Sequence, residues 1–512
     1  MKRLRIGRRR QQAVTSSPLE LARAPALQDD RWQVPDRFNY TRDVVEVLGA
    51  NPKRRALTFV GPDSVIEPRT FHELAEGCNK WASVLREREI QAGDRVLLLS
   101  GATVDWVEAV LGCIKVGAVA VPCSPNLTAA ALEARVSVSG ASLIVAGSES
   151  KGEIAQMSFT PEVHHIFEGR RQRATDAVDD EPTADTPARD IALLVWTSGT
   201  GGSAKPVAHT HGWTFAVRCQ AEHWLDAGPG DVVWCTAPSG SAQALAGTLF
   251  GPWACGAEIV LQDGEFDAME RLELIHRFGA TILCQTPAEY RALAERRELP
   301  RFRSGRLRRL VSTGGYLEPG LIATFQEVWG LTIQNGYGQA ETGVVVGHGP
   351  QERPPEEEHA EEPEERQATP ADSLGRALPG HYVAVIDDQG NELPAGIEGD
   401  VAVRGRPPTL FAGYWDSPDE TREAFRGDWY VTGDVAVMDE DGLFRFVGRA
   451  QDVITSRGRT FGPHDVELAL RAHAAVVDSA VVGIRDLERG GHFVRAFVML
   501  APRVEESEQL EA

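Results

Sequence analysis

What this sequence lacks narrows its class first. No uninterrupted apolar run approaches the roughly 20 residues that a membrane-crossing helix needs. Positive charge is scarce: 53 Lys and Arg stand against 74 Asp and Glu, a formal charge of −21. That balance argues against a nucleic-acid partner, because phosphate backbones are bound by surplus cations. It leaves room for a small phosphate ligand, since a few local donors and a metal can reverse the field inside one cleft. Seven cysteines, Cys78, Cys113, Cys123, Cys219, Cys235, Cys255 and Cys284, are scattered with no CxxC pair. This speaks against a disulfide framework or a zinc site and for thiols packed in a reducing, cytoplasmic compartment. The opening "MKRLRIGRRR" is basic without the apolar core of a secretory signal. A basic tail is the plain reading, with a mitochondrial transit peptide, and hence the matrix, as the alternative.

At 512 residues the chain exceeds one ordinary core, so at least two domains are expected. Residues 1–32 read as a disordered basic tail. From 33 to 447 apolar runs alternate with helical periodicity. "RVLLL" (Arg95 to Leu99), "AVAV" (Ala118 to Val121) and "LIVAG" (Leu143 to Gly147) read as strands. Between the first two, Trp106, Val107, Val110, Leu111 and Ile114 fall on one helical face. Strands alternating with helices predict an α/β fold with parallel-type sheets. Residues 351–366, "QERPPEEEHAEEPEER", hold eight glutamates and three prolines, so 350–370 read as a solvated surface loop. After Asp372, short alternating stretches such as "YVAVIDDQGNEL" indicate a small β-rich subdomain. A last unit, 453–512, follows a hinge at 448–452.

One stretch carries chemistry at sight. "VWTSGTGGSAKPVAHTH" (Val195 to His211) follows the apolar "IALLV" and lies at the carboxyl end of a buried strand, where open α/β sheets bind ligands. It is not a Walker loop, because Ala204, Lys205 and Pro206 stand where Gly-Lys-Ser/Thr is required. "GTGGSA" fits a dinucleotide pattern only formally, with Lys205 and Pro206 where the phosphate-binding helix should begin. The physical content survives. Glycines let backbone N–H groups approach a ligand, hydroxyls add donors, and Lys205 adds a point charge. Together they suit a polyphosphate.

The loop resembles the phosphate loop of the adenylate-forming (AMP-binding) superfamily, and further segments follow in that family's order. "STGGYLEPG" (Ser312 to Gly320) resembles its adenine-side loop and "NGYGQAETG" (Asn335 to Gly343) its aromatic and acidic motif. "GDVAVRG", "FAGYW" and "PDET" resemble the next segment, "WYVTGD" (Trp429 to Asp434) the ribose motif, and "FVGRAQDVI" (Phe446 to Ile454) the hinge. "WQVPDRFNYTRDVV", "GPWACGA" and "SRGRTFGPHDVE" are most similar to medium-chain acyl-CoA synthetases.

The resemblance implies a large multi-layer N-terminal domain and a small α+β C-terminal one. It also implies a two-step reaction. ATP converts a medium-chain fatty or aryl acid to an acyl-adenylate, and the thiol of coenzyme A displaces AMP. Transfer to a carrier-protein thiol, or binding of a nucleotide or acyl-AMP with little catalysis, are the alternatives. Implied roles fall on named residues. Thr197, Ser198, Gly199, Thr200, Gly201, Gly202 and Lys205 cover the β- and γ-phosphates. Glu341 holds Mg²⁺, and Thr342 meets the α-phosphate. Tyr337 stacks on adenine, with Gly314, Gly315 and Tyr316 on its other side. Asp434 takes both ribose hydroxyls, and Arg449 holds the nucleotide near the hinge. Trp213, Ser241, Gly338 and Gln339 border the acyl pocket. His209 matches a family histidine and is as readily structural. Taken singly, Tyr337 reads as core, Glu341 as a surface carboxylate and Asp434 as a turn residue.

The sequence departs from the family pattern in three places. No lysine follows Lys205, so the family's C-terminal lysine is unmatched, and 453–512 reads as an incomplete small domain. The hinge residue is Gln451, where Asp or Lys is usual. Thr460 stands where an arginine is expected, with Arg459 one place earlier. The expectation is impaired adenylation, with the thiol step less affected.

Overall fold

The computed structural model describes residues 32–62, 65–165, 180–197, 204–302, 305–349, 373–456, 459–471, 473, 475–485, 492–501 and 504. Of the expected features, the tail up to residue 31, the acidic loop 350–370 and the loop residues Ser198, Gly199, Thr200, Gly201 and Gly202 lie outside the described residues. So do the side chains of Arg459 and Thr460.

Local sequence signals set the element boundaries. Helix Phe71–Glu87 opens on a capping box, in which the Thr70 hydroxyl accepts from the Glu73 N–H and the Glu73 carboxylate accepts from the Thr70 N–H. Helix Val104–Val116 opens on Thr103, whose hydroxyl accepts from the Trp106 N–H, and stops at Gly117, where φ is 78°. Glycine takes that left-handed position without steric cost. The periodicity gives this helix one apolar face, but all 13 of its residues are buried, Asp105, Glu108 and Lys115 among them. Its place explains the difference. One apolar cluster joins both helices to Leu57 and Ile259 of one sheet and Leu98 and Leu193 of another, so the second helix has no solvent face. Lys115 is paired there with Glu46 and donates to the Thr183 hydroxyl at 2.9 Å.

The architecture is α/β, built on two large sheets. The larger has 14 strands. Six are parallel neighbours, in the spatial order Arg55–Val60, Glu258–Gln262, Val232–Cys235, Ile282–Gln285, Arg309–Ser312 and Ile333–Gln339. Strand Gly343–Gly347 then folds back antiparallel on the last of these. Through it the β-rich part after residue 372 joins the same sheet, adding Ser373–Ala377, Phe444–Arg449, Trp429–Met438, Glu398–Arg404 and Val383–Ile386 in antiparallel pairs. The second sheet has seven strands, and Ile191–Trp196 lies inside it between Val119–Cys123 and Pro206–Thr210. Beyond the turn at 449–453, two hairpins pair Ile454–Ser456 with Arg459–Phe461 and Val476–Arg485 with His492–Leu500.

This layout gathers the motifs. Thr197 ends a strand of the second sheet. The loop 313–316 leaves the carboxyl end of a parallel strand of the first, and Tyr337 lies in the next strand.

Candidate active site

The loop after strand Ile191–Trp196 is closed at its base by Thr197 and Lys205. The Thr197 N–H donates to the Lys205 carbonyl, and the Lys205 N–H donates to the Thr197 hydroxyl, both at 3.0 Å. Strand Gly413–Tyr414 is stitched beside it. Tyr414 is in register with Val207, and the Trp415 N–H donates to the Pro206 carbonyl at 2.8 Å. The Tyr414 ring therefore lies under Lys205, with the ammonium 4.9 Å from the ring centre. The same ammonium pairs with Glu420 at 3.1 Å.

Tyr414 also reaches the acidic motif, since its hydroxyl donates to Glu341 Oε1 at 2.8 Å. Glu341 is buried at 7% exposure. Burial pushes its carboxyl above the usual carboxylate range, and the Tyr414 hydrogen bond offsets part of that rise. Such a carboxylate is short of positive charge. Among the described residues no three His, Cys, Asp or Glu cluster in a metal-binding group. The Glu341 carboxylate oxygens would suit a hard cation whose shell is completed by phosphate oxygens and water, as Mg²⁺ prefers.

Glu341 sits in a tight turn between two antiparallel strands. Thr342 holds that turn: its hydroxyl accepts from the Gln339 N–H at 2.9 Å and donates to the Gly343 carbonyl at 2.7 Å. Thr342 is 1% exposed, so in the free chain its hydroxyl serves the backbone. Gly338 is required on steric grounds, because a Cβ there would stand 1.9 Å from the Gly343 carbonyl oxygen. Gly338→Ala should force the two strands apart and cost about 1–3 kcal/mol, the usual range for overpacking. Thermal denaturation checks this, and an unchanged melting temperature would show that the turn yields without cost.

A second polar cluster forms around Asp434, which is 2% exposed. Its Oδ2 accepts from the Tyr337 hydroxyl at 2.6 Å and from Gln339 Nε2 at 2.9 Å. Gln339 Nε2 also donates to the Thr432 carbonyl at 2.8 Å, and Gln339 Oε1 accepts from the Tyr430 hydroxyl at 3.0 Å. Asp434 and Arg449 are register partners on paired strands, and Arg449 Nε stands 3.1 Å from Oδ1 as a counter-ion. That contact lacks the alignment of a hydrogen bond, so Oδ1 is a buried acceptor with none among the described residues. Burial raises the Asp434 carboxyl, against the lowering pull of the Tyr337 hydrogen bond and the Arg449 charge.

The remaining sequence-derived residues take varied places. Gly314 and Gly315 are exposed at a strand's carboxyl end, where a Cβ on Gly314 meets nothing within 4 Å; Tyr316 is half-buried. Trp213 is core, 1% exposed and stacked on His209 at 4.2 Å. Ser241 accepts from the Ala244 N–H at 3.1 Å and so starts the helical segment Ala244–Phe250. Neither hydrogen-bonds to the Asp434 or Glu341 clusters among the described residues. Gln339, expected at the acyl pocket, is hydrogen-bonded to Asp434. Gln451 is exposed in the turn whose Ala450 N–H donates to Gly433 at 2.9 Å. His209 and His211 are fully buried, which pushes their rings down to about 3 and about 4, so both are neutral at pH 7. Sequence reasoning gave no role to Tyr414, Glu420 or Tyr430. All three lay in quoted motifs, but only pairing across the fold reveals their partners.

A turn and a distant strand thus each hold a buried carboxylate, Glu341 linked through Tyr414 to Lys205 and Asp434 beside Arg449. The chain belongs to the family of AMP-binding enzymes, whose model matches residues 45–415. It is an AMP-forming acid–thiol ligase. Among its relatives is the mitochondrial acyl-coenzyme A synthetase ACSM3 of Pongo abelii, 31% identical over 97% of this chain and 86% of that protein. A solved acyl-CoA synthetase of Brucella canis is 31% identical, with a TM-score of 0.74 over 93% of this chain and 87% of the other. The anthranilate CoA ligase AuaEII, solved with anthranoyl-AMP, is 26% identical, with a TM-score of 0.82 over 94% and 90%. No helix among the described residues is long and apolar enough to cross a membrane.

Proposed function

We propose that this chain activates a medium-chain fatty or aryl carboxylic acid on ATP and passes the acyl group to coenzyme A. The observation that carries the reading is the pair of buried carboxylates: Glu341, joined through Tyr414 to Lys205, and Asp434, held by Tyr337 beside Arg449. In the first step an acid carboxylate attacks the α-phosphorus, and pyrophosphate leaves. Two anions must meet, so the site has to supply positive charge and fixed donors. Lys205 and the loop N–H groups serve the β- and γ-phosphates, and Arg449 serves the nucleotide from the hinge side. Tyr337 presents its ring to adenine while its hydroxyl fixes Asp434 for the ribose. Glu341 would hold Mg²⁺, which supplies charge neutralisation on the phosphate oxygens when bound. In the second step the CoA sulfur attacks the acyl carbon and AMP departs. We assign 448–452 as the hinge between a large domain, 33–447, and the small domain that follows. All seven cysteines are unbridged, which suits a reducing compartment.

Pyrophosphate release measured over straight-chain and aromatic acids tests the reading. The expected result is acid-dependent release with ATP and magnesium, and AMP formation that accelerates when CoA is added. Release that ignores the acid, or AMP formation indifferent to CoA, would refute it.

A further inference from the structure

Lys205 is half-buried and already partnered in the free chain. Its ammonium lies over the Tyr414 ring at 4.9 Å and against Glu420 Oε2 at 3.1 Å. The fold builds this contact. Glu420 belongs to the short helix Pro418–Glu423, tied back to the Tyr414 segment by the Tyr414 N–H donating to the Thr421 hydroxyl at 2.9 Å. That segment is in turn paired with the strand that begins at Pro206, immediately after the lysine. The neighbouring acid, Asp419, is engaged elsewhere, with Arg422 at 2.7 Å. Glu420 is thus the carboxylate of this helix that meets the loop cation.

We propose that Glu420 is an internal competitor for Lys205, a counter-ion that parks the ammonium beside Tyr414 until a polyphosphate takes it. The inference rests on the nucleotide reading of the loop and adds a positioning residue to it. Parking has a second consequence. The Tyr414 hydroxyl is bound to Glu341 while the ring face carries Lys205, so lysine and acidic motif share one side chain. With Glu420 as its ion-pair partner, the ammonium acts on Glu341 only at a distance, across the Tyr414 ring. Both partners are close to half exposed, at 43% and 47% of their side-chain surface, so water screens the pair. Competition from such a contact is worth about two- to five-fold in affinity.

Calorimetric titration of the full chain with ATP and with AMP, each with magnesium, tests this. Wild type is compared with Glu420→Gln and with Asp419→Asn, which removes an equal charge one residue away without touching Lys205. Glu420→Gln should tighten ATP about two- to five-fold and leave AMP unchanged, since AMP lacks the β- and γ-phosphates. Asp419→Asn should change neither. The gain should fade as salt rises and screens the pair. Unchanged ATP affinity in Glu420→Gln would overturn the latch alone, as would equal tightening for AMP or in Asp419→Asn. Absence of uptake of either nucleotide by wild type would overturn the nucleotide reading, and the latch with it.

Discussion

Glu341→Gln should nearly abolish pyrophosphate release while leaving the free protein more stable at neutral pH. The two effects come from the same fact. The Glu341 carboxylate is buried with one hydrogen bond from Tyr414, and burial holds its carboxyl above the usual range. Glutamine keeps the Tyr414 hydrogen bond through its Oε1 and removes the charge. The loss to catalysis should be about 10²–10³-fold, the usual cost of deleting one preorganised group that meets transition-state charge. The stability gain has a defined pH window. An acid whose folded value is raised stabilises the fold fully below its unfolded value, near pH 4.3, and loses that contribution as pH rises through the folded value. Wild type should therefore weaken relative to Glu341→Gln above the ordinary carboxylate range, and the two should melt alike below it. Melting curves from pH 3.5 to 8 check the sign. An equal melting temperature throughout would mean that burial does not penalise this charge. Retained pyrophosphate release would remove the residue from the site.

The same residue shows how far a sequence can be read. Its place in an ordered run of motifs pointed to Glu341, yet nothing local showed that it would be buried, because its donor is 73 positions away in the chain. Asp434 and Tyr337 are likewise 97 positions apart, and their hydrogen bond exists only because antiparallel strands extend the parallel sheet. The structural work of Gly338 and Thr342 at the turn around Glu341 was not read, since both were assigned to ligands. Periodicity failed where tertiary position overrides it. Helix Val104–Val116 reads as one-faced and is enclosed on every side, because two sheets meet around it. Gln339 was read as bordering the acyl pocket; that its amide donates to Asp434, 95 positions away, no local pattern shows. Polar pairs such as Lys205 with Glu420 leave no trace in composition. They follow from which strand edges meet, and the meeting of Tyr414 with Val207 is a long-range pairing.

That dependence on distant pairing makes Asp434 the sharper test of the nucleotide site. Asp434→Ala should raise the KM for ATP about 10²-fold and erase any preference for ATP over 2′-deoxy-ATP. A carboxylate accepting from two ribose hydroxyls makes charge-assisted hydrogen bonds, each worth about 1.5–3 kcal/mol. The geometry leaves room for them, because Oδ2 is held by Tyr337 and Gln339 while Oδ1 faces Arg449 without an aligned hydrogen bond. The Arg449 side chain is 45% exposed and free to turn toward a phosphate. Alanine also strips the acceptor from the Tyr337 hydroxyl, so part of the loss would be misplacement of the ring. Tyr337→Phe separates the two. It removes the hydroxyl and keeps both the ring face and the carboxylate, so discrimination against 2′-deoxy-ATP should survive with a smaller rise in KM. If Asp434→Ala still discriminated between the two nucleotides as wild type does, the ribose would have to bind elsewhere. A collapse of discrimination in Asp434→Ala alone would place the ribose at this carboxylate.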